Sequence, residues 1–369
     1  MNTADIVIVG AGFAGAATAF HLARRGAGKI VVLEREAVPG YHASGRNAAL
    51  GFTSIDEWEA ATLAQEGLAF IRGEASTLAK RPLFRDCGSL LVASVPQTAG
   101  RLQSLVTRLP EGAAWWDASE AVRAVPVLAE SDAIGGLWSP GDAVVDIHGL
   151  LQVYIQEARA RGAQILFSAP VCSVKVAHGK IAEVHTPSGA WSCGTLVNAA
   201  GAWASELGRL ADSPVPPLQP RRRHLFIGKP GFAVDPHWPF VWHADVDTYF
   251  RPEGDGLLLS PCDATPHPAV EPRTDEHAKL LLAEKLMRAF PRLMTMSIAQ
   301  GWACLRTFAR DERFVIGRDP AVQGLVWVAG LGGHGMTSSY AAGRLGAAAA
   351  LRDWSEELAW FDPARLVGC

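Results

Sequence analysis

The sequence has few cysteines, and their positions do not suggest a cross-linked or metal-bound fold. Six cysteines occur in 369 residues, at positions 87, 172, 193, 262, 304 and 369. They include no Cys-x-x-Cys pair and no His/Cys spacing typical of zinc ligands. We therefore expect neither a disulfide framework nor a metal site.

Long runs of one kind of residue are also missing. The formal net charge is −3, and the densest basic cluster is Arg221-Arg222-Arg223, so a nucleic-acid partner is not expected. No stretch of 18 or more residues is free of charges and turn signals, which argues against a membrane span. The start, Met-Asn-Thr-Ala-Asp, lacks the basic segment of a secretion signal. These features predict a cytoplasmic location.

The first 36 residues have the pattern of a βαβ unit. The β-branched residues at 6–9 and the apolar residues at 30–33 predict two strands buried on both faces of a parallel sheet. Between them, small and apolar residues recur on one side of a predicted helix. At 369 residues the chain is long enough for two domains with substantial cores.

The glycines and the acid of this unit indicate a dinucleotide site. Gly10 suits the tight turn, Gly12 allows the backbone to approach a pyrophosphate, and Gly15 allows helix and strand to pack closely. The helix N-terminus offers free N–H groups to the phosphates. Glu34 ends the second strand, where it can accept hydrogen bonds from a ribose diol and would repel the 2′-phosphate of NADP.

Four further motifs follow, and they carry a family resemblance. They are His42-Ala-Ser-Gly-Arg-Asn47, Asn198-Ala-Ala-Gly-Ala-Trp203, Leu305-Arg306-Thr-Phe308 and Gly332-Gly-His-Gly335. With the N-terminal unit, and in the same order, they resemble the D-amino-acid oxidase superfamily of flavoproteins over essentially the whole chain. The similarity is greatest to its D-arginine dehydrogenase-like and sarcosine oxidase-like members, with glycine oxidase-like proteins in the same group.

The resemblance implies an α/β fold with a Rossmann-like FAD-binding domain and an α+β substrate domain built on an antiparallel sheet. The strand-and-turn texture past Pro82 and again from Pro214 places the domains. We predict a discontinuous FAD-binding domain at 1–82, 147–213 and 300–369, and a substrate domain at 83–146 and 214–299.

The chemistry implied is oxidation of a CH–NH bond in D-amino acids or related amino acids. A hydride passes to flavin N5, and the imine is hydrolysed to a keto acid. The resemblance also implies FAD as cofactor, an amino-acid substrate and an electron acceptor such as a quinone. Three alternatives remain: a sarcosine, secondary-amine or glycine oxidase-like enzyme, a flavin subunit of an electron-transfer complex, and an NAD-dependent enzyme.

The resemblance also assigns the substrate contacts. Arg306 and Arg222 match an arginine clamp for the substrate carboxylate, although the three consecutive arginines leave the register of the second open by one. Tyr249 matches a tyrosine that closes over the substrate, the alternative being a core aromatic with a satisfied hydroxyl. The carbonyl of Gly332 accepts from the substrate amine, and the following helix points its N-terminus at the flavin pyrimidine.

The predicted cofactor contacts come mainly from the same motifs. They are Gly10, Gly12, Ala14, Gly15, Glu34, Arg35, His42, Ser44, Gly45, Arg46, Asn47, Ala48, Val171, Ala200, Gly201, Trp203, Cys304, Gly332, Gly333, His334, Gly335, Met336 and Thr337.

Departures from the family pattern refine these expectations. The stretch 50–55 is apolar where members selective for D-arginine carry a histidine and a tyrosine, which puts a cationic side-chain preference in doubt. Leu258 stands where sarcosine oxidase-like members have an oxygen-activating lysine, which favours a dehydrogenase over an oxidase. Cys304 matches a cysteine that bonds covalently to flavin, and His42 lies near a histidine with that role in other members. We expect non-covalent FAD, with a link through Cys304 as the alternative.

Overall fold

A computed structural model describes residues 2–367 of the chain. Its strands are, in chain order, β1 (Asn2–Thr3), β2 (Ile6–Val9), β3 (Ile30–Leu33), β4 (Leu50–Gly51), β5 (Phe84–Asp86), β6 (Ser89–Ala93), β7 (Ala114–Asp117), β8 (Gly135–Ser139), β9 (Ala143–Val145), β10 (Gln164–Leu166), β11 (Ser173–Ala177), β12 (Lys180–Thr186), β13 (Gly189–Ser192), β14 (Thr195–Asn198), β15 (Gln219–Lys229), β16 (Phe240–His243), β17 (Thr248–Glu253), β18 (Gly256–Ser260), β19 (Thr265–Pro266), β20 (Ser297–Phe308), β21 (Val315–Arg318) and β22 (Leu325–Ala329).

The helices are α1 (Phe13–Arg24), α2 (Trp58–Phe70), α3 (Ser76–Ala79), α4 (Pro96–Leu105), α5 (Ala118–Ala124), α6 (Ile147–Ala160), α7 (Ala204–Leu210), α8 (Glu276–Ala289), α9 (Ser339–Leu351) and α10 (Glu356–Trp360). A π-helical segment at Ile71–Ala75 joins α2 to α3, and a 3₁₀ turn at Gly201–Trp203 precedes α7. Further 3₁₀ turns lie at Val106–Arg108, Pro126–Glu130, Pro291–Leu293 and Pro363–Leu366.

The predicted βαβ unit is confirmed and forms the middle of a largely parallel sheet. The strand order is β10-β3-β2-β14-β22-β21, and β21 is antiparallel to β22. Alternate side chains of β2 serve two cores: Ile6 and Ile8 pack with α1, α6 and α9, whereas Val7 packs on the other face. This burial on both faces explains the continuous apolar run in the sequence.

A second sheet confirms the predicted antiparallel architecture. Its order is β19-β15-β18-β17-β16-β6-β8-β7, with β20 paired along β15, and β16 is parallel to β6. One face packs on α8 through an apolar cluster that includes Phe226 and Phe250. The opposite face carries Leu225, Tyr249 and Leu258. This opposite face lies toward the carboxyl ends of the parallel strands.

Strand β20 crosses the domain boundary that the sequence predicts at residue 300. It begins at Ser297, ends at Phe308, and pairs with β15 from Lys229 back to Gln219. The beginning of this strand could not be predicted from the sequence, because residues 297–300 are all exposed and do not alternate between buried and exposed side chains. Arg306 and Cys304 therefore belong to the antiparallel sheet.

Two small sheets complete the fold, with orders β1-β13-β12-β11 and β4-β9-β5. Within residues 2–367, no helix is both long enough and apolar enough to cross a membrane. In the same part of the chain, no three His, Cys, Asp or Glu side chains are grouped as metal ligands.

Candidate active site

A cavity of about 480 Å³ runs from the carboxyl ends of the parallel strands to the inner face of the antiparallel sheet. The residues just beyond β2, β3, β14 and β22 line one end of it, and β15, β16, β17 and β20 contribute to the other. Open α/β sheets bind ligands at this edge because the loops there leave a crevice. We call the two regions the nucleotide end and the sheet end.

The nucleotide end is organised by a buried carboxylate. Glu34 Oε2 accepts a hydrogen bond from the Ala11 backbone N–H at 2.7 Å, and its Oε1 accepts from the Glu36 backbone N–H at 2.9 Å. A carboxylate has further lone pairs for hydroxyl donors. Glu34 is thus fixed beside the first glycine turn, with acceptor capacity left for a ribose.

The loop at 42–47 is tied to the start of α1. The Phe13 backbone N–H donates to Ser44 Oγ at 3.0 Å, and the Asn47 amide donates to the Ser44 carbonyl at 2.9 Å. Trp302, on β20, donates its indole N–H to the Arg46 carbonyl at 2.9 Å. The loop is therefore held both by the start of α1 and by strand β20.

A cation and two rings stack at the outer side of this loop. The Arg35 guanidinium lies 3.7 Å from the centre of the Trp203 ring, and the His42 ring is 4.5 Å from the same ring. Glu36 pairs with both Arg35 and His42, each at 2.8 Å. Burial lowers the pKa of His42, although the Glu36 hydrogen bond opposes it.

Two of the predicted cofactor contacts lie behind the cavity wall. A Cβ at Gly15 would stand 1.9 Å from the Gly10 carbonyl oxygen, and a Cβ at Gly45 would stand 2.4 Å from the Gly40 carbonyl oxygen. Both glycines are required by close backbone packing, and neither lines the cavity. For Gly15 this is the packing role that its place in the motif predicts.

The sheet end carries Arg306, Arg223 and Tyr249, whereas Arg222 does not reach it. Cross-strand pairing sets Arg223 opposite Cys304, so both side chains point to the cavity face. Successive side chains alternate between faces, and Arg222 therefore points away, where its Nη2 bonds Asp275 Oδ2 at 2.6 Å. The sequence left this register open by one residue; in the structure Arg223 lies at the cavity, and the matched residue, Arg222, does not.

The two arginines at the sheet end form no ion pair with a described carboxylate. Within residues 2–367, Arg223 Nη1 is buried without a hydrogen bond, and the buried Tyr249 hydroxyl lies beside Ser260. No described carboxylate pairs with Arg306, and burial together with the Arg223 charge lowers its pKa. Burial raises the pKa of Tyr249, so its hydroxyl keeps its proton. The half-buried charge of Arg306 and the buried charge of Arg223 create a demand for an anion.

Arg223 is held in place by a pair that sequence reasoning missed. Its Nε donates to the Asp263 carbonyl at 2.6 Å, and the Asp263 carboxylate lies 2.7 Å from His224 Nδ1. His224 Nε2 accepts from the Asp275 backbone N–H at 3.2 Å, which leaves Nδ1 as the donor to Asp263. Burial alone would raise the pKa of Asp263, but the bonds from His224 outweigh it and lower that pKa.

The glycine turn after β22 passes directly against Arg306. A Cβ at Gly333 would lie 3.0 Å from the Arg306 side chain, and Gly332 N–H donates to the Thr307 carbonyl at 3.0 Å. Burial and the Arg306 charge lower the pKa of His334 to about 4, so its imidazole is neutral at pH 7. Thr337 Oγ1 donates to the Leu50 carbonyl at 3.0 Å and fixes the end of the turn.

Beside the arginines stand four aromatic side chains, Phe52, Phe240, Trp242 and Tyr249, which we call the aromatic wall. All four line the cavity. Phe240 lies 5.2 Å from Tyr249, and Trp242 lies 5.7 Å from both Tyr249 and Phe52, between ring centres. Sequence reasoning missed Phe240 and Trp242; their alternation around Val241 was the available signal.

The other predicted contacts all border the cavity. They are Arg306, Tyr249, Gly10, Gly12, Ala14, Glu34, Arg35, His42, Ser44, Arg46, Asn47, Ala48, Val171, Ala200, Gly201, Trp203, Cys304, Gly332, Gly333, His334, Gly335, Met336 and Thr337. Their individual roles toward cofactor and substrate remain predictions.

Comparison with known proteins gives the family. Residues 5–349 match the DAO family model, described as FAD dependent oxidoreductase. The mitochondrial pyruvate dehydrogenase phosphatase regulatory subunit of Mus musculus is 26% identical over 97% of this chain, which spans only 42% of that relative. Monomeric sarcosine oxidase of Streptomyces avermitilis is 27% identical over 99% of this chain and 98% of its own.

A solved structure has a similar fold. L-proline dehydrogenase from P. horikoshii superposes with a TM-score of 0.88 over 99% of this chain and 98% of that chain, at 20% identity. This likeness agrees with the two-sheet arrangement described above. The family match covers nearly the whole cavity-forming chain, and FAD is the cofactor of that family. The chain therefore belongs to the DAO family of FAD-dependent oxidoreductases.

Proposed function

We propose that the protein is an FAD-dependent dehydrogenase that oxidises the CH–NH bond of amino acids with a free carboxylate, either D-amino acids or related secondary amino acids. The observation that carries this proposal is the pair of arginines at the cavity, half-buried Arg306 and buried Arg223, neither of them ion-paired with a carboxylate among the described residues. A substrate carboxylate supplies the missing negative charge. The identified relative that oxidises sarcosine, an amino acid, supports the same class of substrate.

The nucleotide end fits FAD. Glu34 retains acceptor capacity for a ribose, and the first turn of α1 offers N–H groups to phosphates. Arg35 and Trp203 add a cation and a flat ring beside them. When bound, FAD supplies the acceptor for the hydride that leaves the substrate carbon.

The sheet end orients the substrate. Arginine presents paired N–H groups that match the two oxygens of a carboxylate, and Arg306 and Arg223 reach the cavity from adjacent strands. The protonated Tyr249 hydroxyl is a further donor to the same anion. Binding of one carboxylate also relieves the mutual repulsion of the two guanidinium groups.

The amine has no strong base beside it within the part of the cavity that we describe. His334 is neutral at pH 7 because its pKa is about 4, so it holds a proton poorly. The two arginine charges disfavour a protonated amine in the same space. The substrate therefore reacts as the neutral amine, whose lone pair pushes out the hydride as the C=N bond forms, and water then hydrolyses the imine.

An anaerobic titration of the FAD-loaded protein tests this function. D- and L-amino acids, glycine, sarcosine and proline are each added, and the flavin absorbance is followed. We expect at least one amino acid to bleach the flavin, and an artificial acceptor to restore it. A flavin that dithionite bleaches, but that no amino acid reduces, would refute an amino-acid dehydrogenase.

A second candidate is a flavin-binding subunit without turnover of its own. The match to a regulatory subunit along 97% of this chain favours it. The same titration separates the two proposals, because such a subunit binds FAD and stays oxidised with every amino acid.

A further inference from the structure

The aromatic wall occupies the part of the cavity next to the arginine pair. Tyr249 belongs to the wall and feels the Arg306 charge, which works against the rise in its pKa that burial causes. Phe240 and Trp242 extend the wall along β16, and Phe52 covers it from the opposite domain. A substrate whose carboxylate meets the arginines therefore directs part of its remaining structure toward these rings.

No acidic side chain lines this region in the described part of the chain. The carboxylates that border the cavity, Glu34 and Glu206, lie with the nucleotide-end residues. Leu50 and Leu225 add apolar surface near the wall. Transfer of a charged group to such a lining without a counter-ion is unfavourable.

The charge balance also opposes a cationic side chain. Arg306 and Arg223 place two positive charges at the cavity, whereas Asp263 and Asp247, which act on Arg223, lie behind the cavity lining. A lysine or arginine side chain on the substrate would add a further positive charge beside these arginines, in a medium of low dielectric constant. An anionic side chain would be attracted by the arginine charges, but its burial against the apolar rings would be unfavourable.

We propose that the aromatic wall selects amino acids whose side chain is uncharged and apolar, of the size of leucine or phenylalanine, over those with a cationic side chain. This inference rests on the proposed function, and it names the substrate class of the same site. The rings pack edge to face, with interplanar angles of 84° for Phe52 and Phe240 and 70° for Phe240 and Tyr249. Each such contact covers part of a ring face, so the wall offers less of the face that a cation would need.

Steady-state kinetics with an artificial acceptor test the selection. We expect kcat/KM for the better enantiomer of phenylalanine or leucine to exceed that for lysine or arginine at least tenfold, because even one methylene group in an apolar pocket is worth about 10–200-fold. Faster turnover of a cationic amino acid, of sarcosine or of dimethylglycine would overturn the proposal while leaving amino-acid oxidation intact.

Two variants connect the selection to the wall. Trp242 is only partly buried, and its indole N–H donates to Asp247 Oδ1 at 3.1 Å. Trp242→Glu removes this donor and adds a carboxylate to the wall, and we expect it to lower the apolar-to-cationic ratio at least tenfold. Phe250→Leu changes the next aromatic position, which faces the α8 core instead, and should leave the ratio unchanged. A ratio that is unaffected by Trp242→Glu would remove the wall from specificity.

Binding of unreactive carboxylates separates this proposal from the proposed function. We expect 3-phenylpropionate to raise the melting temperature and perturb the flavin spectrum at lower concentration than 6-aminohexanoate. If the protein shows this preference but no amino acid reduces its flavin, the proposed selection stands and the proposed catalysis is refuted. Equal or reversed binding would refute the selection.

Discussion

Arg222 and Arg223 are neighbours in sequence but serve different surfaces, because consecutive side chains of a strand point to opposite faces. Arg223 lines the cavity and forms no ion pair, whereas Arg222 is ion-paired with Asp275 and does not line the cavity. They form a matched pair for testing the carboxylate site.

We predict that Arg223→Ala lowers kcat/KM by about 30-fold to several thousand-fold. This range corresponds to roughly 2–5 kcal/mol for loss of one partner of a buried charge pair. Arg222→Ala should change kcat/KM less than threefold, because its side chain does not line the cavity. Steady-state kinetics with flavin content as the loading control measures both, and equal losses in the two variants would contradict the assigned faces.

The form of flavin attachment depends on Cys304. Its side chain borders the cavity, and burial raises the pKa of the thiol, which keeps it protonated. A protonated thiol is a poor nucleophile, so we predict that the flavin is not covalently bound.

Acid precipitation measures this attachment. All yellow colour should appear in the supernatant, for the unaltered protein and for Cys304→Ser alike. Colour that stays in the pellet and is lost in Cys304→Ser would instead establish a thioether.

At the scale of elements, helices α1 and α9 cross at unusually short range. A Cβ on Gly343 would stand 2.5 Å from the backbone carbonyl carbon of Ala17. A methyl group at this crossing must therefore push the two helices apart, and α1 carries the first turn of the nucleotide end.

We predict that Gly343→Ala lowers the free energy of unfolding by roughly 1–3 kcal/mol, as overpacking commonly does, and weakens FAD binding. Gly100→Ala is the control, because that glycine lies on the exposed side of α4 with nothing within 4 Å of its Cβ position. It should leave stability unchanged or raise it by roughly 0.5–1 kcal/mol. Chemical denaturation and FAD titration of both variants provide the comparison; a Gly343→Ala protein as stable as the control would contradict the tight crossing.

The βαβ unit could be predicted because its information is local. Two apolar strands, three glycines and an acid within 36 residues determine the turn, the packing and the ligand edge together. The antiparallel sheet was recognisable from its short strands, but its strand pairing was not.

The site at that sheet was harder to predict, for a reason specific to its residues. Three consecutive arginines give β15 a polar residue on both faces, so alternation cannot tell which one points inward. The answer depends on pairing with β20, about 80 residues later. The aromatic wall likewise joins Phe52 to residues 240–249, and no local pattern connects them.

At the scale of the whole molecule, the two domains share the loop that borders the cavity. The Arg251 guanidinium, on β17, donates from Nε to the Ala48 carbonyl at 2.8 Å and is ion-paired with Glu253. Leu258 faces the same side, opposite Arg251, within an apolar cluster. Leu258 itself brings no cation to this face, and Arg251 beside it is paired with Glu253.

We predict that the reduced protein passes electrons slowly to O₂ and rapidly to a quinone or dye. Stopped-flow mixing of anaerobically reduced protein with air-saturated buffer, and separately with a quinone, measures the two rates. The dehydrogenase assignment holds if reoxidation by O₂ is slower than turnover with the quinone. A faster reaction with O₂ would make the protein an oxidase.

The order of strands in the parallel sheet has a consequence for biosynthesis. Strand β14 lies between β2, made near the start of the chain, and β22, made more than 300 residues after β2. Helix α9 then covers α1, whose apolar side would otherwise meet water. During translation, the core around β2 and α1 closes only after residues 325–351 have been made. Most strands of the antiparallel sheet are made before then. The nascent chain thus exposes the side of α1 that faces α9 until residues 339–351 are made, and cotranslational chaperones would have that side to protect.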